Sequence, residues 1–207
     1  EGEPGTFKDR WILENNPHVL LESMLIASYA LNVRNCFVYI RGEFDLPYRR
    51  LAGAVEEAYA AGLFGNRIFG TDFSMNCYVH RGAGAYVCGE ETGLIESLEG
   101  KRGWPRIKPP FPAIEGLFRR PTVVNNVETL CNIPQIINLG AAWFSALGVM
   151  GSSGTRMVCV SGAVRKPGYF EVEMGKLTMR QLIYDVCGGL PEGRTLKGFQ
   201  PGGPLSG

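Results

Sequence analysis

The chain has 207 residues, 45% of them hydrophobic and 20% charged, which is ordinary globular composition with material for one large domain or two small ones. A formal net charge of +1 supplies no global field toward nucleic acid or an anionic membrane, so any anion recognition has to come from local clusters. The longest apolar run, around Val19 to Leu31, is broken by Glu22, Ser23 and Ser28 and is too short and polar to span a bilayer. With Glu1 first and no basic-then-apolar start, no signal peptide is read and the chain is expected to be a fragment.

In chain order, Asn15-Asn16-Pro17 is a cap-like start, and Leu21, Met24, Leu25 and Ser28 recur at helical spacing, predicting a helix over 17–31. Asn35 to Ile40 is a short, nearly continuous apolar and aromatic run suited to a covered strand; Leu46 to Leu63 is periodic as a helix ending near Gly62, and Phe73 to His80 reads as a second strand. Helices alternating with buried strands predict an α/β layered domain with a largely parallel sheet. From Arg81 a glycine-rich turn leads into a helix from about Gly89 to Leu98. Residues Lys101 to Val124 carry five prolines, too many for a helix or a central strand, and read as a long ordered loop. Asn125-Asn126 caps a helix through Leu130, which Pro134 interrupts.

Gly148 to Gly154 reads as a flexible linker, giving domains at 1–147 and 155–207. The second holds strands near 157–161 and 169–174 and a helix opened by the capping box Thr178-Met179-Arg180-Gln181 and closed by Gly188-Gly189, in a β-β-α-β pattern.

Several places carry chemistry-bearing residues. The turn Arg81 to Gly89 presents backbone amides at a helix start, which suits a phosphate; it equally suits a tight strand-to-helix turn that needs glycine for geometry alone, and its spacing is not the dinucleotide G-x-G-x-x-G. Glu90 and Glu91 fall in the first turn of that helix, either as dipole-stabilising acids or as groups that orient a sugar hydroxyl and set the electrostatics of a redox ring. Lys101, Arg102, Arg106, Lys108, Arg119 and Arg120 face one acid, Glu115, among Trp104, Phe111 and Phe118. That pattern fits a solvated surface loop, a nucleotide clamp, or single-stranded nucleic-acid binding. His18 and His80 have no spaced partners, so hydrolytic catalysis is not expected. The six cysteines are scattered without C-x-x-C, so reduced thiols and no metal site are expected.

Four segments, Glu1 to Arg10 (EGEPGTFKDR), Gly82 to Leu94 (GAGAYVCGEETGL), Lys108 to Pro112 (KPPFP) and Pro121 to Leu130 (PTVVNNVETL), together resemble the NADH-binding flavoprotein subunits of respiratory complex I. The resemblance extends to diaphorase subunits of NAD-reducing hydrogenases and NAD-dependent formate dehydrogenases. It implies a Rossmann-like FMN domain followed by a soluble-ligand-binding β-grasp, or ubiquitin-like, module. It also implies that Glu1, Glu3, Tyr86, Gly89, Glu90, Glu91, Val124, Asn125 and Asn126 line FMN, and that Glu3, Glu91, Lys108 and Phe111 face NADH, with Phe111 as adenine platform.

The activity implied is NADH oxidation by hydride transfer to FMN, followed by single-electron transfer to iron–sulfur clusters and ultimately a quinone. The flavin performs the chemistry, with no side chain acting as general acid or base. The family's glycine-rich flavin segment would precede Glu1, and the cysteines of its 4Fe–4S cluster would follow Gly207. Implied partners are a thioredoxin-like 2Fe–2S subunit and a large iron–sulfur subunit, on the cytoplasmic or matrix face of a membrane the chain does not enter, with no nucleic acid. A non-catalytic assembly module built around the β-grasp part is the reading from another class.

Overall fold

The computed structural model describes residues Gly2 to Gly202; Glu1, which the resemblance assigns to the flavin, lies outside them, as do residues 203–207. The chain separates into two compact units, one of Gly2 with Arg10–Pro134 and one of Glu3–Asp9 with the residues from Gln135 on.

The first unit is mixed α/β. Helix α1 spans Asp9–Asn15 and α2 spans Pro17–Leu31, with Pro17 at the first turn, where its missing N–H costs nothing. Strand β1 (Asn35–Ile40) pairs in parallel with β2 (Asn76–Arg81), in register from Asn35 opposite Asn76 to Ile40 opposite Arg81. Between them α3 (Asp45–Ala60) forms the crossover and stops before Gly62, whose φ is +70°. Strand β2 begins later than the apolar run suggests because Met75 is already engaged elsewhere. It exchanges both backbone hydrogen bonds with Gly65, at 2.7 and 2.9 Å. The core lies between α2, α3 and the two strands, where Leu20, Leu51, Ile68 and Met75 are almost wholly buried. Complete burial of such side chains stabilises by about 2 kcal/mol each.

Helix α4 spans Glu91–Leu98, two residues shorter than expected because Glu90 is its N-cap and not its first turn. Asn126 caps α5 (Val127–Cys131) by accepting from Glu128 N–H at 3.0 Å, and Pro134 sits in the first turn of the separate helix α6 (Ile133–Leu139).

In the second unit α7 (Ala141–Ala146) leads into Gly148–Gly154, which the composition marks as a soft linker. It is instead a small antiparallel hairpin, β3 (Gly148–Val149) against β4 (Ser152–Ser153). Gly148 holds φ +84°, and a Cβ there would fall 2.5 Å from Ser152 O, so the tight crossing requires glycine. Strand β5 (Thr155–Val160) pairs antiparallel with β6 (Gly168–Glu173) through the Lys166-Pro167 turn. The N-terminal segment joins this unit: Phe7 N–H points at Cys159 Sγ, 3.3 Å away. The capping box of Thr178 and Gln181 forms as read and opens α8 (Met179–Gln181), continued by a π turn over Leu182–Val186 that buries Leu182 and Ile183. No strand follows α8 among the described residues, so the last element of the expected β-β-α-β pattern is not seen there.

Candidate functional site

The C-terminal ends of β1 and β2 carry the glycine-rich turn. Gly82 N–H donates to Ile40 O at 2.7 Å, and a Cβ on Gly82 would lie 2.6 Å from Tyr39 Oη. The glycine is therefore required by packing of the turn on the neighbouring strand, whatever ligand the turn serves. A single turn, Tyr86–Gly89, then delivers the chain to α4, leaving Tyr86 half exposed.

At the start of α4 the amides that would suit a phosphate are already bonded. Glu90 carboxylate accepts from Thr92 N–H at 2.8 Å, from Gly93 N–H at 2.9 Å and from the Thr92 hydroxyl. Partial burial pushes this carboxyl up, but those bonds and the Lys108 ammonium outweigh it and hold the pKa down at about 2. Glu90 thus takes the Thr92 and Gly93 amides at the first turn of α4, just beyond the Arg81–Gly89 turn that suits a phosphate. Lys108 reaches back from the proline-rich loop to the same helix start, its Nζ 2.5 Å from Glu91 Oε1 and 3.1 Å from Glu90 Oε1. Two carboxylates and one ammonium, 17 residues apart along the chain, form one cluster.

Three of the remaining cations of the loop also have carboxylate partners. Arg106 pairs with Glu96 at 2.5 Å and Glu99 at 3.0 Å; Lys101 meets Glu99 at 2.6 Å and Glu96 at 3.8 Å; Arg119 lies 3.8 Å from Glu115. Arg102 is stacked over the Trp104 ring, 5.2 Å from its centroid. The positive bias of residues 101–120 is therefore offset by the acids of α4, which removes most of the free charge that a nucleic-acid contact would need. Burial pushes Glu99 up, yet the bonds from Lys101, Phe118 N–H and Arg106 bring its carboxyl below the usual range. Phe111 and Phe118 keep more than half of their surface exposed, 54% and 63%, so ring faces are accessible on this loop, while the exposed Trp104 ring is covered on one face by Arg102. Lys108-Pro109 and Pro109-Pro110 are both cis peptides.

Val124 and Asn125 lie elsewhere in the unit, on the wall of an open cavity of about 760 Å³. Its other walls include Met24 of α2, Phe37 and Tyr39 of β1, and Leu94 and Leu98 of α4. The structure thus gathers Glu90, Glu91 and Lys108 in one cluster, places Val124 and Asn125 along another side of α4, and uses Asn126 as a helix cap. Glu3 belongs to the second unit; its Oε1 is buried with no hydrogen-bond partner. The sequence singles out Arg106 only as one of six basic residues; its partners Thr92, Glu96 and Glu99 are not marked there. The signal for them was present in the i,i+3 acids Glu96 and Glu99 facing back toward the basic residues just beyond the helix.

A parallel strand pair with a glycine turn and acidic helix start at its C-terminal edge defines an α/β cofactor-binding unit. Residues 1–135 match the Nuo51 FMN-binding domain and residues 157–207 match the SLBB domain, and the chain belongs to the Nuo51 FMN-binding family. It is 50% identical over 98% of its length to an NADH-quinone oxidoreductase subunit of Rhizobium meliloti. To the mitochondrial "NADH dehydrogenase [ubiquinone] flavoprotein 1" of Dictyostelium discoideum it is also 50% identical, again over 98% of its length. It covers 48% and 42% of those two proteins, so the chain spans about half the length of the curated relatives it matches. Among solved structures it is similar to an NAD+-reducing nickel–iron hydrogenase in the air-oxidised state, with TM-score 0.81, 41% identity, and coverage of 92% of this chain and 31% of that one. The H2-reduced form gives TM-score 0.76 at 44% identity, over 83% of this chain and 29% of that one.

The residues of the first unit fit FMN, the group the matched domain binds: the Glu90 and Glu91 carboxylates at the start of α4 are acceptors of the kind its hydroxyl and ring N–H donors need. The flavin phosphate is not served by Thr92 and Gly93, whose amides are committed to Glu90.

Proposed function

We propose that this chain is the flavin- and nucleotide-binding part of an NADH dehydrogenase flavoprotein, the electron-input subunit of a complex I. The observation that carries the reading is the cluster of Lys108, three residues before the exposed Phe111 in sequence, with Glu90 and Glu91, in a chain of the Nuo51 FMN-binding family. In this reading unit 1 is Rossmann-like and the SLBB region is a β-grasp. FMN is held by Glu1, Glu3, Tyr86, Gly89, Glu90, Glu91, Val124, Asn125 and Asn126. Bound FMN would supply the redox chemistry, linking two-electron hydride oxidation to one-electron carriers.

The chain's own residues bind and orient. Phe111 offers a ring face for adenine, and Lys108 offers an ammonium for the nucleotide phosphates. Glu91, held 2.5 Å from Lys108, keeps that ammonium at the helix start and places negative charge where it disfavours a more negative ring. Glu3 completes the nucleotide side. The Thr92 and Gly93 amides are taken by Glu90, so in this reading the flavin phosphate is met by other groups, among them the glycine-rich segment that the family resemblance implies in a longer protein. That protein would also carry the 4Fe–4S ligands and would dock a thioredoxin-like 2Fe–2S subunit and a large iron–sulfur subunit. The location proposed is the cytoplasmic or matrix face of the membrane; no helix among the described residues is long and apolar enough to cross it.

The hydrogenase structures favour a second reading, the diaphorase subunit of an NAD-linked hydrogenase, with the same site. Co-purification separates the two by the large subunits that accompany the flavoprotein. The site itself is tested in the full-length subunit by replacing Phe111 with Ala. Loss of one stacked ring should weaken NADH binding about five- to a hundred-fold, with flavin retained. Loss of flavin from that variant would overturn the assignment of Phe111 to the nucleotide side.

A further inference from the structure

Lys108 is a long side chain on an irregular stretch of the proline-rich loop, yet it lands on two carboxylates at the start of α4. What puts it there is found two residues earlier. Arg106 is bonded to α4 through both its backbone and its side chain. Its N–H donates to Thr92 Oγ1 at 2.7 Å, while its guanidinium reaches Glu96 at 2.5 Å, Glu99 at 3.0 Å and the carbonyl of Gly116 at 3.1 Å. Thr92 is almost wholly buried and its hydroxyl is used in both senses, accepting from Arg106 N–H and donating to Glu90 Oε2. A hydroxyl can do both at once; a methyl can do neither.

An extended chain advances at most about 3.5 Å per residue, so anchoring Arg106 confines the Lys108 backbone to within about 7 Å of that anchor. Pro109 and Pro110 then remove φ freedom on the far side. Beyond them Thr122 N–H closes on Pro112 O at 2.9 Å, fixing the other end of the segment. Resting on the reading of Lys108 as a nucleotide-binding group, we propose that Thr92 and Arg106 are positioning residues for NADH recognition. They dock the loop on α4 and thereby hold the Lys108 ammonium at the Glu90–Glu91 pair, without touching nucleotide or flavin.

The test is made on the full-length flavoprotein with Thr92→Val, Thr92→Ser and Lys108→Ala, reading three quantities: hydrogen–deuterium exchange of residues 105–111, NADH affinity, and flavin content. Thr92→Val is nearly isosteric and leaves the Arg106 N–H without its acceptor while Glu90 Oε2 keeps its two backbone donors, so exchange over 105–111 should rise. NADH KM should rise about ten-fold at unchanged kcat and flavin content. Thr92→Ser keeps the hydroxyl and should restore both exchange and affinity. The double variant Thr92→Val/Lys108→Ala should bind NADH no more weakly than Lys108→Ala alone, because both act through one contact. Unchanged exchange in Thr92→Val, an equal loss in Thr92→Ser, an additive double variant, or a parallel loss of flavin and kcat would each overturn the proposal. If Lys108→Ala leaves NADH affinity intact while Thr92→Val still loosens 105–111, docking of the loop by Thr92 stands and the nucleotide role of Lys108 falls.

Discussion

Two segments that look equally irregular in composition are held by different forces. The proline-rich loop 101–124 is pinned by side chains, chiefly Arg106, Lys101 and Lys108 on the acids of α4. The glycine- and serine-rich segment 148–154 is pinned by backbone pairing of Gly148–Val149 with Ser152–Ser153. Proline removes backbone donors and leaves side chains to do the anchoring, whereas glycine removes side chains and leaves only the backbone. The first kind of loop can place functional groups at a distant helix; the second can make only a tight corner.

The sharpest way to break this contrast is Gly148→Ala. The new Cβ would meet Ser152 O at 2.5 Å and Met174 O at 3.0 Å in a left-handed conformation. The hairpin should lose about 3 kcal/mol, read as a lowered unfolding midpoint of the second unit and largely insensitive to salt. Arg106→Ala should cost less, about 2 kcal/mol, because its partners Glu96 and Glu99 keep the nearby Lys101. Its cost should shrink in molar salt, and proteolysis should move into 101–124. Equal salt dependence of the two variants would erase the distinction.

This contrast also explains what could be read in advance. Helix α2 and strands β1 and β2 were legible because their apolar spacing is local, within one element. The capping box at Thr178 was legible for the same reason. The cancellation of the loop's positive charge was not, because Glu96 and Glu99 count as neutralising only once α4 and the loop are adjacent in space. Nor was the choice of Glu90 over Glu91 as the cap, since either acid suits a helix start and only the geometry shows that Glu90 takes the Thr92 and Gly93 amides. The hairpin at 148–154 failed from the opposite cause: Gly and Ser fit linkers and tight turns alike.

A smaller effect concerns Glu90. Its carboxyl titrates at about 2 in the folded chain against 4.5 ordinarily, so its contribution is present above about pH 4.5 and is lost as pH falls toward 2. Glu90→Gln should cost about 1 kcal/mol at pH 7, the scale of an N-cap; the carboxylate is 35% exposed and solvent screens the rest. The difference from wild type should vanish as denaturation is followed down through that window. A constant difference from pH 7 to pH 2 would show that Glu90 acts by shape and not by charge.

The central claim is that flavin and nucleotide are recognised at the start of α4, where Glu91 is the residue assigned to both. Glu91→Gln in the full-length flavoprotein, followed by redox titration of the flavin against a reference dye and by NADH titration on the same sample, tests it most directly. Removing the negative charge should raise the flavin potential by about 20 mV or less, because Lys108 already offsets part of the charge. It should also tighten NADH binding, because the Glu91 carboxylate repels the nucleotide phosphates. A potential and an affinity that both stay at their wild-type values would contradict the account and leave Glu91 as a helix-start carboxylate paired with Lys108.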